Sequence, residues 1–473
     1  MEHPAAYRGR QVVVLGLARS GVAVARWFHE AGAHVTVNDK KEREACPEAD
    51  ELEALGISVV CGGHPAGLIH EGVALVVKNP GIPYSVEPIR RAAELGIETV
   101  TEVEVAARLC KAPIIGITGS NGKTTTTTWT GLMLEAGGLK PIVAGNIGRA
   151  LTEAALESQE DNRMVVELSS FQLKGTQAFR PSIACLLNIY ETHLDYHGSM
   201  EDYVVSKQKL FANLQAEDTA VLNWDNAVCR ATAEKLNSRV LPFSVREELD
   251  YGLFAKPPLA EAKAAGQASV LIYKDEEGVE HPILKHDELG IPGSHNVENA
   301  LAASAIAVAS GVATDVIAQV LREFHGVEHR LEYVATKQGV LFYNDSKATN
   351  ATATIKTIES FSKDIVLVAG GLDRGSDYME LLPAFERQVK GLVALGETKE
   401  KIVRVAKLAG MSRVKTVDTA KHVQDTVDEA VREAFALANP GDVVLLSPAC
   451  ASWDMFPSYE ERGRMFKQSV HNL

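Results

Sequence analysis

The residues best suited to chemistry lie between Ile114 and Thr125. There Ile-Ile-Gly-Ile-Thr-Gly-Ser-Asn-Gly-Lys-Thr-Thr passes from an apolar run through a glycine turn into a helical pattern. Gly119, Ser120, Asn121 and Gly122 can close backbone N–H groups on phosphate oxygens, and Lys123 can reach the terminal phosphates. Thr124, followed by Thr125, can offer its hydroxyl to magnesium. The ligand expected on this stretch is ATP. The general phosphate-loop pattern asks for glycine at position 117, where isoleucine stands; Gly116 and Gly119 flank it. Glu167 and Ser169-Ser170 follow a second apolar run, Met164-Val165-Val166, at the strand end where a nucleotide-binding sheet presents metal ligands. A hard carboxylate there suits magnesium. Beyond a third run, Asn188 to Asp195 gathers oxygen and nitrogen donors around His193, with Lys207 on a later helix. Taken alone, His193 reads as structural, because magnesium prefers oxygen.

Two further clusters could bind ligands. Gly16-Leu17-Ala18-Arg19-Ser20-Gly21 follows an opening strand, and Asp39 follows the next. That spacing invites a dinucleotide reading, but the fingerprint needs glycine where Ala18 stands, so a phosphorylated or nucleotide-linked ligand fits better than NAD. Near the other end, Asn344 to Asn350, Gly370 to Arg374 and Ser447 to Asp454 each follow an apolar run. Lys347, Arg374 and the hydroxyls of Thr349 and Ser452 would make a cationic, donor-rich pocket for a small dicarboxylate.

Short β-branched runs alternating with helical patterns must position these groups: Val12 to Leu15, Val35 to Val37, Ile114 to Ile117, Val165 to Leu168, Ile183 to Asn188, Ile365 to Val368 and Val443 to Leu446. The expected class is α/β, with parallel sheets covered by helices. A chain of 473 residues suggests about three domains. Glycine turns after a first strand at Gly16, at Gly119 and at Gly370-Gly371 suggest boundaries giving 1–111, 112–326 and 327–473. The stretch 241–290 breaks the rhythm, and Asp275-Glu276-Glu277-Gly278 reads as a hairpin turn in a small antiparallel appendage. The alanine-rich stretch 300–320 reads as a core helix.

A net charge of -14 argues against nucleic acid as a partner. Six scattered cysteines without metal-like spacing, no signal-peptide pattern and no long apolar span point to a cytoplasmic protein with reduced thiols and no stable membrane association. A monomer is expected.

TGSNGKTT, GNIG (145–148), VVELSSFQL, ETHLDYHGS, PGSHNVENALAA, EHRLE, NDSKATN and SPACASWDMF, in that order, resemble the Mur ligases over nearly the whole chain. SSFQL and SPACASWDMF resemble the D-glutamate-adding branch. The resemblance implies a Rossmann-like uridine-substrate domain, a central ATPase and a Rossmann-like amino-acid domain. It implies an ATP-dependent, ADP-forming ligase joining UDP-N-acetylmuramoyl-L-alanine to D-glutamate through an acyl phosphate. Catalytic roles fall on Lys123, Glu167, His193 and Lys207. Two magnesium ions would be held by Thr124, Glu167, His193 and Lys207, the last as N6-carboxylysine. The nucleotide would also meet Asn296, Asn299, Arg330 and Asp345. The uridine substrate would meet Leu17, Ala18, Arg19, Ser20, Asp39, Lys40, Asn79, Gly81, Asn146 and Ser169. D-Glutamate would meet Lys347, Thr349, Arg374, Ser452 and Tyr459, although some relatives have lysine where Arg374 stands and phenylalanine where Tyr459 stands. The alternatives are another Mur-type or folylpolyglutamate-type ligase, or a P-loop ATPase without ligase chemistry.

Overall fold

Runs of valine, isoleucine and leucine bounded by glycine turns build three sheets among the described residues of the computed structural model, which are 1–361 and 363–473. The first sheet holds five parallel strands in the order Ser58–Val60, His34–Asn38, Gln11–Leu15, Val73–Lys78, Thr99–Thr101. Side chains alternate across it. Val12, Val14, Val35, Val37, Leu75 and Val77 pack on Phe28, Ala49 and Leu52, whereas Val13, Leu15 and Val76 pack on Ile89 and Ala92. Both faces are covered, which is why these strands read as continuous apolar runs.

The second sheet has nine strands, in the order Glu280–Lys285, Val270–Lys274, Gly252–Lys256, Arg239–Ser244, Thr219–Asn223, Ile183–Leu186, Ile114–Thr118, Asn162–Glu167, Lys140–Gly145. Only the first two pairings, among the first three strands, are antiparallel. The expected hairpin is present across Asp275, and its antiparallel strands extend the edge of this sheet, which 239–285 continues strand by strand.

These two sheets lie in one compact unit, 1–288 with 297–321. The helix Glu102–Leu109 ties them through buried carboxylates. Glu104 accepts from the amides of Gln177, Ala178 and Phe179 at 2.9 to 3.2 Å, and Glu102 accepts from the amide of Thr152 at 2.9 Å. These bonds satisfy two buried carboxylates, and those to Phe179 and Thr152 satisfy buried amides as well.

The second unit comprises 289–296 and 322–473. Its sheet runs Glu332–Lys337, Val340–Asn344, Val443–Leu446, Ile365–Ala369, Val389–Ala394, Arg413–Thr416. All neighbours are parallel except the first pair. The unit therefore opens on an antiparallel pair, and Gly370-Gly371 follows its third strand rather than its first. The stretch 300–320 is also not one helix: Ser294–Ala309 ends at Ser310-Gly311, Gly311 has φ +87°, and Thr314–Glu323 starts anew. Among the described residues, no helix is long and apolar enough to cross a membrane.

Candidate active site

The strand Ile114–Thr118 delivers the chain into the phosphate-loop turn, and Gly122 starts the helix Lys123–Ala136 with φ +83°. A Cβ at Gly122 would lie 2.1 Å from Asn299 Oδ1, so position 122 excludes side chains on two counts. No side chain caps this helix, which leaves its first amides to a ligand. The turn is held from outside. Ser120 Oγ meets Tyr203 OH at 2.8 Å and accepts from the Tyr190 amide at 2.9 Å. Asn188 Oδ1 accepts from the Asn121 amide at 2.9 Å. Lys123 Nζ curls back to the carbonyls of Gly119 and Ser120 at 2.9 and 3.1 Å. Thr124 and Thr125 are buried in the first turn.

Lys207, 1 % exposed on the helix Met200–Gln208, aims its amine at the same turn, donating to Gly119 O at 2.9 Å and Thr118 Oγ1 at 3.2 Å. Burial and the nearby Lys123 charge push it well below the usual lysine range, against the pull of Glu167. Glu167, also 1 % exposed, ends the strand Asn162–Glu167; Oε1 accepts from Asn146 Nδ2 at 2.8 Å, while Oε2 is buried with no hydrogen-bond partner. His193 sits in the left-handed region at φ 57°, exposed, its ring edge-on to Phe171 at 5.0 Å. Although the residue is exposed, partial desolvation of the ring and the Lys123 charge lower its pKa, favouring the neutral imidazole that can ligate.

A buried carboxylate oxygen without a donor asks for a cation. Among the described residues, no three His, Cys, Asp or Glu side chains converge to cage one. The single unpartnered Glu167 oxygen suits magnesium, which in phosphate chemistry is held by one or two carboxylates together with substrate oxygens.

Leu17 to Ser20 and Asn79 follow the two strands that flank the switch point of the first sheet, Gln11–Leu15 and Val73–Lys78, and Asp39 follows the neighbouring His34–Asn38. Asp39 Oδ2 accepts from the Leu17 amide at 2.8 Å, and Oδ1 from the Lys41 amide at 3.0 Å. Ala18 precedes the helix Arg19–Glu30, whose start has no side-chain cap, with Ser20 half-buried in its first turn. Gly21 is needed there because a Cβ would lie 2.1 Å from Gly16 O. Arg19 donates to Gly148 O at 2.9 Å, joining this turn to the loop that carries Asn146. Asn79 donates its amide to Leu15 O at 2.8 Å; Lys40 and Gly81 are exposed. Ser169 caps the helix Ser170–Lys174 reciprocally with Gln172.

Asn299 lies in the first unit beside Gly122; Asn296 lies in the second, donating to Pro292 O at 2.6 Å. Asp345 is 4 % exposed and accepts from Thr357 Oγ1 at 2.6 Å, Ser447 Oγ at 3.0 Å and the Leu331 amide at 3.2 Å. Both oxygens are thus engaged within the unit, and Asp345 holds the turn that carries Arg330. Arg330 is close enough for its charge to act on Asp345 and Tyr459. Lys347 Nζ stands 5.7 Å over the Tyr459 ring, and Arg374 lies 5.1 Å over Trp453. Thr349 is half-buried, and Ser452 is 2 % exposed.

Sequence reasoning missed two supports. Tyr203 braces Ser120. Arg462, 2 % exposed, holds the carbonyls of Ser346 and Cys450 and thereby the starts of the NDSKATN and SPACASWD loops. Its place on the same helical face as Phe466, Ser469 and Val470 was the available signal.

Family models match in chain order. The Mur ligase MurD-like N-terminal domain matches residues 10–101, the Mur ligase middle domain 117–307, and the Mur ligase, glutamate ligase domain 329–450. A protein named UDP-N-acetylmuramoylalanine--D-glutamate ligase from Geobacillus sp. (strain WCH70) is 47% identical over 474 residues, covering 100% of both chains. One of the same name from Geobacillus kaustophilus (strain HTA426) is 46% identical over 99% of this chain and 98% of its own. The chain belongs to the Mur ligase family.

Solved Mur ligases share the fold at low identity. MurF from Acinetobacter baumannii aligns with TM-score 0.60 and 17% identity over 98% of this chain and 93% of that one. MurC from Thermotoga maritima aligns with TM-score 0.57 and 19% identity over 98% and 99%. The architecture is thus that of Mur ligases with three α/β domains.

Proposed function

We infer that this chain is an ATP-dependent, ADP-forming ligase that joins the L-alanyl carboxylate of UDP-N-acetylmuramoyl-L-alanine to the amine of D-glutamate, a step of peptidoglycan precursor synthesis. The observation that carries the chemistry is the buried group at the phosphate loop: an open helix start with Lys123 beside it, and Glu167 with one oxygen unpartnered. Its amino-acid specificity rests on the full-length similarity to ligases of that name.

A carboxylate resists attack by an amine, so its oxygen first takes the γ-phosphoryl of ATP, giving an acyl phosphate and ADP. The neutral amine of D-glutamate then attacks the acyl carbon, forming the C–N bond; the C–O bond breaks, phosphate leaves with its electron pair, and the nitrogen gives up a proton to solvent. The amides at the start of Lys123–Ala136 and the Lys123 ammonium bind and orient the phosphates, so catalysis is mainly positioning and electrostatics. Magnesium, held by Thr124, Glu167, His193 and Lys207, would offset charge on the transferring group. Lysine can serve there only as a carbamate. A buried amine held toward its neutral form is the one that adds CO₂, losing a proton to become an anion. Two ions suit the set, one at Thr124 and one at Glu167, His193 and carbamylated Lys207.

In the first sheet, Leu17, Ala18, Arg19, Ser20, Asp39, Lys40, Asn79 and Gly81, with Asn146 and Ser169, form the uridine-substrate side. Asn296, Asn299, Arg330 and Asp345 serve the nucleotide, Asp345 by holding the Arg330 turn. Lys347, Thr349, Arg374, Ser452 and Tyr459 receive D-glutamate. The working domains are 1–111, 112–326 and 327–473, in a monomeric cytoplasmic enzyme.

Phosphate release from Mg-ATP and UDP-N-acetylmuramoyl-L-alanine tests the reading. Turnover is expected with D-glutamate and not with L-glutamate, meso-diaminopimelate or no amino acid. Equal turnover in all four would leave only an ATPase.

A further inference from the structure

Lys78 ends the strand Val73–Lys78 immediately before Asn79-Pro80-Gly81, and it is 1 % exposed. Its amine donates to Pro80 O at 3.1 Å and to Tyr196 OH at 3.3 Å, and it stands 4.5 Å over the ring of Tyr84. Tyr196 OH in turn lies 3.0 Å from Pro80 O and 3.3 Å from Ile82 O. A lysine is almost never buried this deeply without a carboxylate. Among the described residues, none pairs with Lys78. The charge that acts on it is a second ammonium, Lys174, over the Tyr84 and Tyr196 rings at 5.3 and 5.8 Å. Lys174 already has its own partner in Asp202, at 2.7 and 2.8 Å, and Asp202 also meets His197 Nδ1 at 2.6 Å.

We propose that Lys78 is a positioning residue that senses charge at the Asn79–Gly81 loop. It takes up a proton when the diphosphate of the uridine substrate binds there, and as an ammonium it fixes Pro80 against Tyr196. The inference rests on the assignment of that loop to the uridine substrate.

Burial and the Lys174 charge push the amine down to about 7, so near neutral pH the free protein holds it part-protonated. A diphosphate at the adjoining loop favours the charged form and restores the missing counter-charge. Tyr84 and Tyr196 are pushed up by burial and stay neutral over this range, leaving Lys78, Lys174, Asp202 and His197 as the groups around the loop that can carry charge. Binding should then weaken as pH rises above about 7, approaching tenfold per pH unit for one linked proton.

The test is calorimetric titration of the whole enzyme with UDP-N-acetylmuramoyl-L-alanine at pH 8, in two buffers of different ionisation enthalpy. More than about half a proton taken up per substrate is expected for the unaltered protein. Lys78→Met should abolish that uptake and flatten the pH dependence of affinity, while Tyr196→Phe should keep the uptake and weaken binding. No uptake by the unaltered protein, or equal uptake by it and Lys78→Met, overturns the proposal, and the first result needs no variant to fold. Failure of the unaltered protein to bind the substrate at all would instead count against the assigned function.

Discussion

The phosphate site of the first unit and the amino-acid site proposed for the second differ in what is buried. In the first unit two of the four candidate catalytic groups are packed away: Lys207 and Glu167 are each 1 % exposed, Lys123 is half-buried, His193 is exposed, and the phosphate-loop turn is tied to Tyr203 and Asn188. In the second unit the frame is packed and most of the grip is not. Asp345 and Arg462 lie inside, whereas Arg374 is exposed beside Trp453, which is 65% exposed, and Lys347 and Tyr459 are half-buried. Phosphoryl transfer gains from groups fixed before the ligand arrives. A site that must admit a free amino acid can leave its cations in water until the ligand's carboxylates replace that water. The difference teaches that rigidity is concentrated where charge develops.

That contrast predicts separable kinetics. The largest effect is expected from Lys123→Ala, which removes the cation from the fixed site and should lower kcat by about 10³-fold or more, with D-glutamate KM little changed. Arg374→Ala should act on the other side. D-Glutamate KM should rise roughly 10- to 100-fold as one charge-assisted contact is lost, with ATP KM within about twofold. Steady-state kinetics with each substrate varied in turn checks both. Should Arg374→Ala depress kcat as deeply as Lys123→Ala, the amino-acid site would be as preorganised as the phosphate site, and the contrast would fail.

How far the sequence reveals each region follows the same division. The phosphate loop was legible because its chemistry is local: strand, glycines, lysine and threonine lie within twelve consecutive residues. The strand-end positions of Glu167 and the Gly16 turn were legible because both follow apolar runs that form parallel strands. Lys78 and Arg462 were not, since burial of a cation depends on elements far along the chain, Tyr196 in one case and the Ser346 and Cys450 carbonyls in the other. The antiparallel strand Glu332–Lys337 escaped notice because its side chains are mostly half-exposed and present no apolar run. Asp345 was assigned to the nucleotide by resemblance, yet its neighbours make it a buried acceptor, which only packing could reveal.

The smallest expected effect concerns that residue and tests whether the frame of the second unit is as dry as it looks. Burial raises the Asp345 carboxyl to about 6 from its ordinary 3.8, against the hydrogen bonds from Thr357 and Ser447. The folded chain therefore holds this proton more tightly than the unfolded chain. Its stabilising contribution is fully present below about pH 4 and is lost as pH rises through about 6, a total on the order of 2–3 kcal/mol. Asp345→Asn, which stays neutral, should remove this slope. The quantity to measure is the difference between the unaltered and Asp345→Asn proteins in hydrogen-exchange protection of the strand Val340–Asn344 from pH 4.5 to 7, each corrected for intrinsic exchange. A difference that shrinks or reverses as pH rises supports a buried, reluctantly ionised frame. A difference independent of pH would mean that Asp345 ionises as it would in water. The second unit would then carry a standing charge beneath Arg330, and its frame would belong with the charged groups of the phosphate site rather than stand in contrast to them.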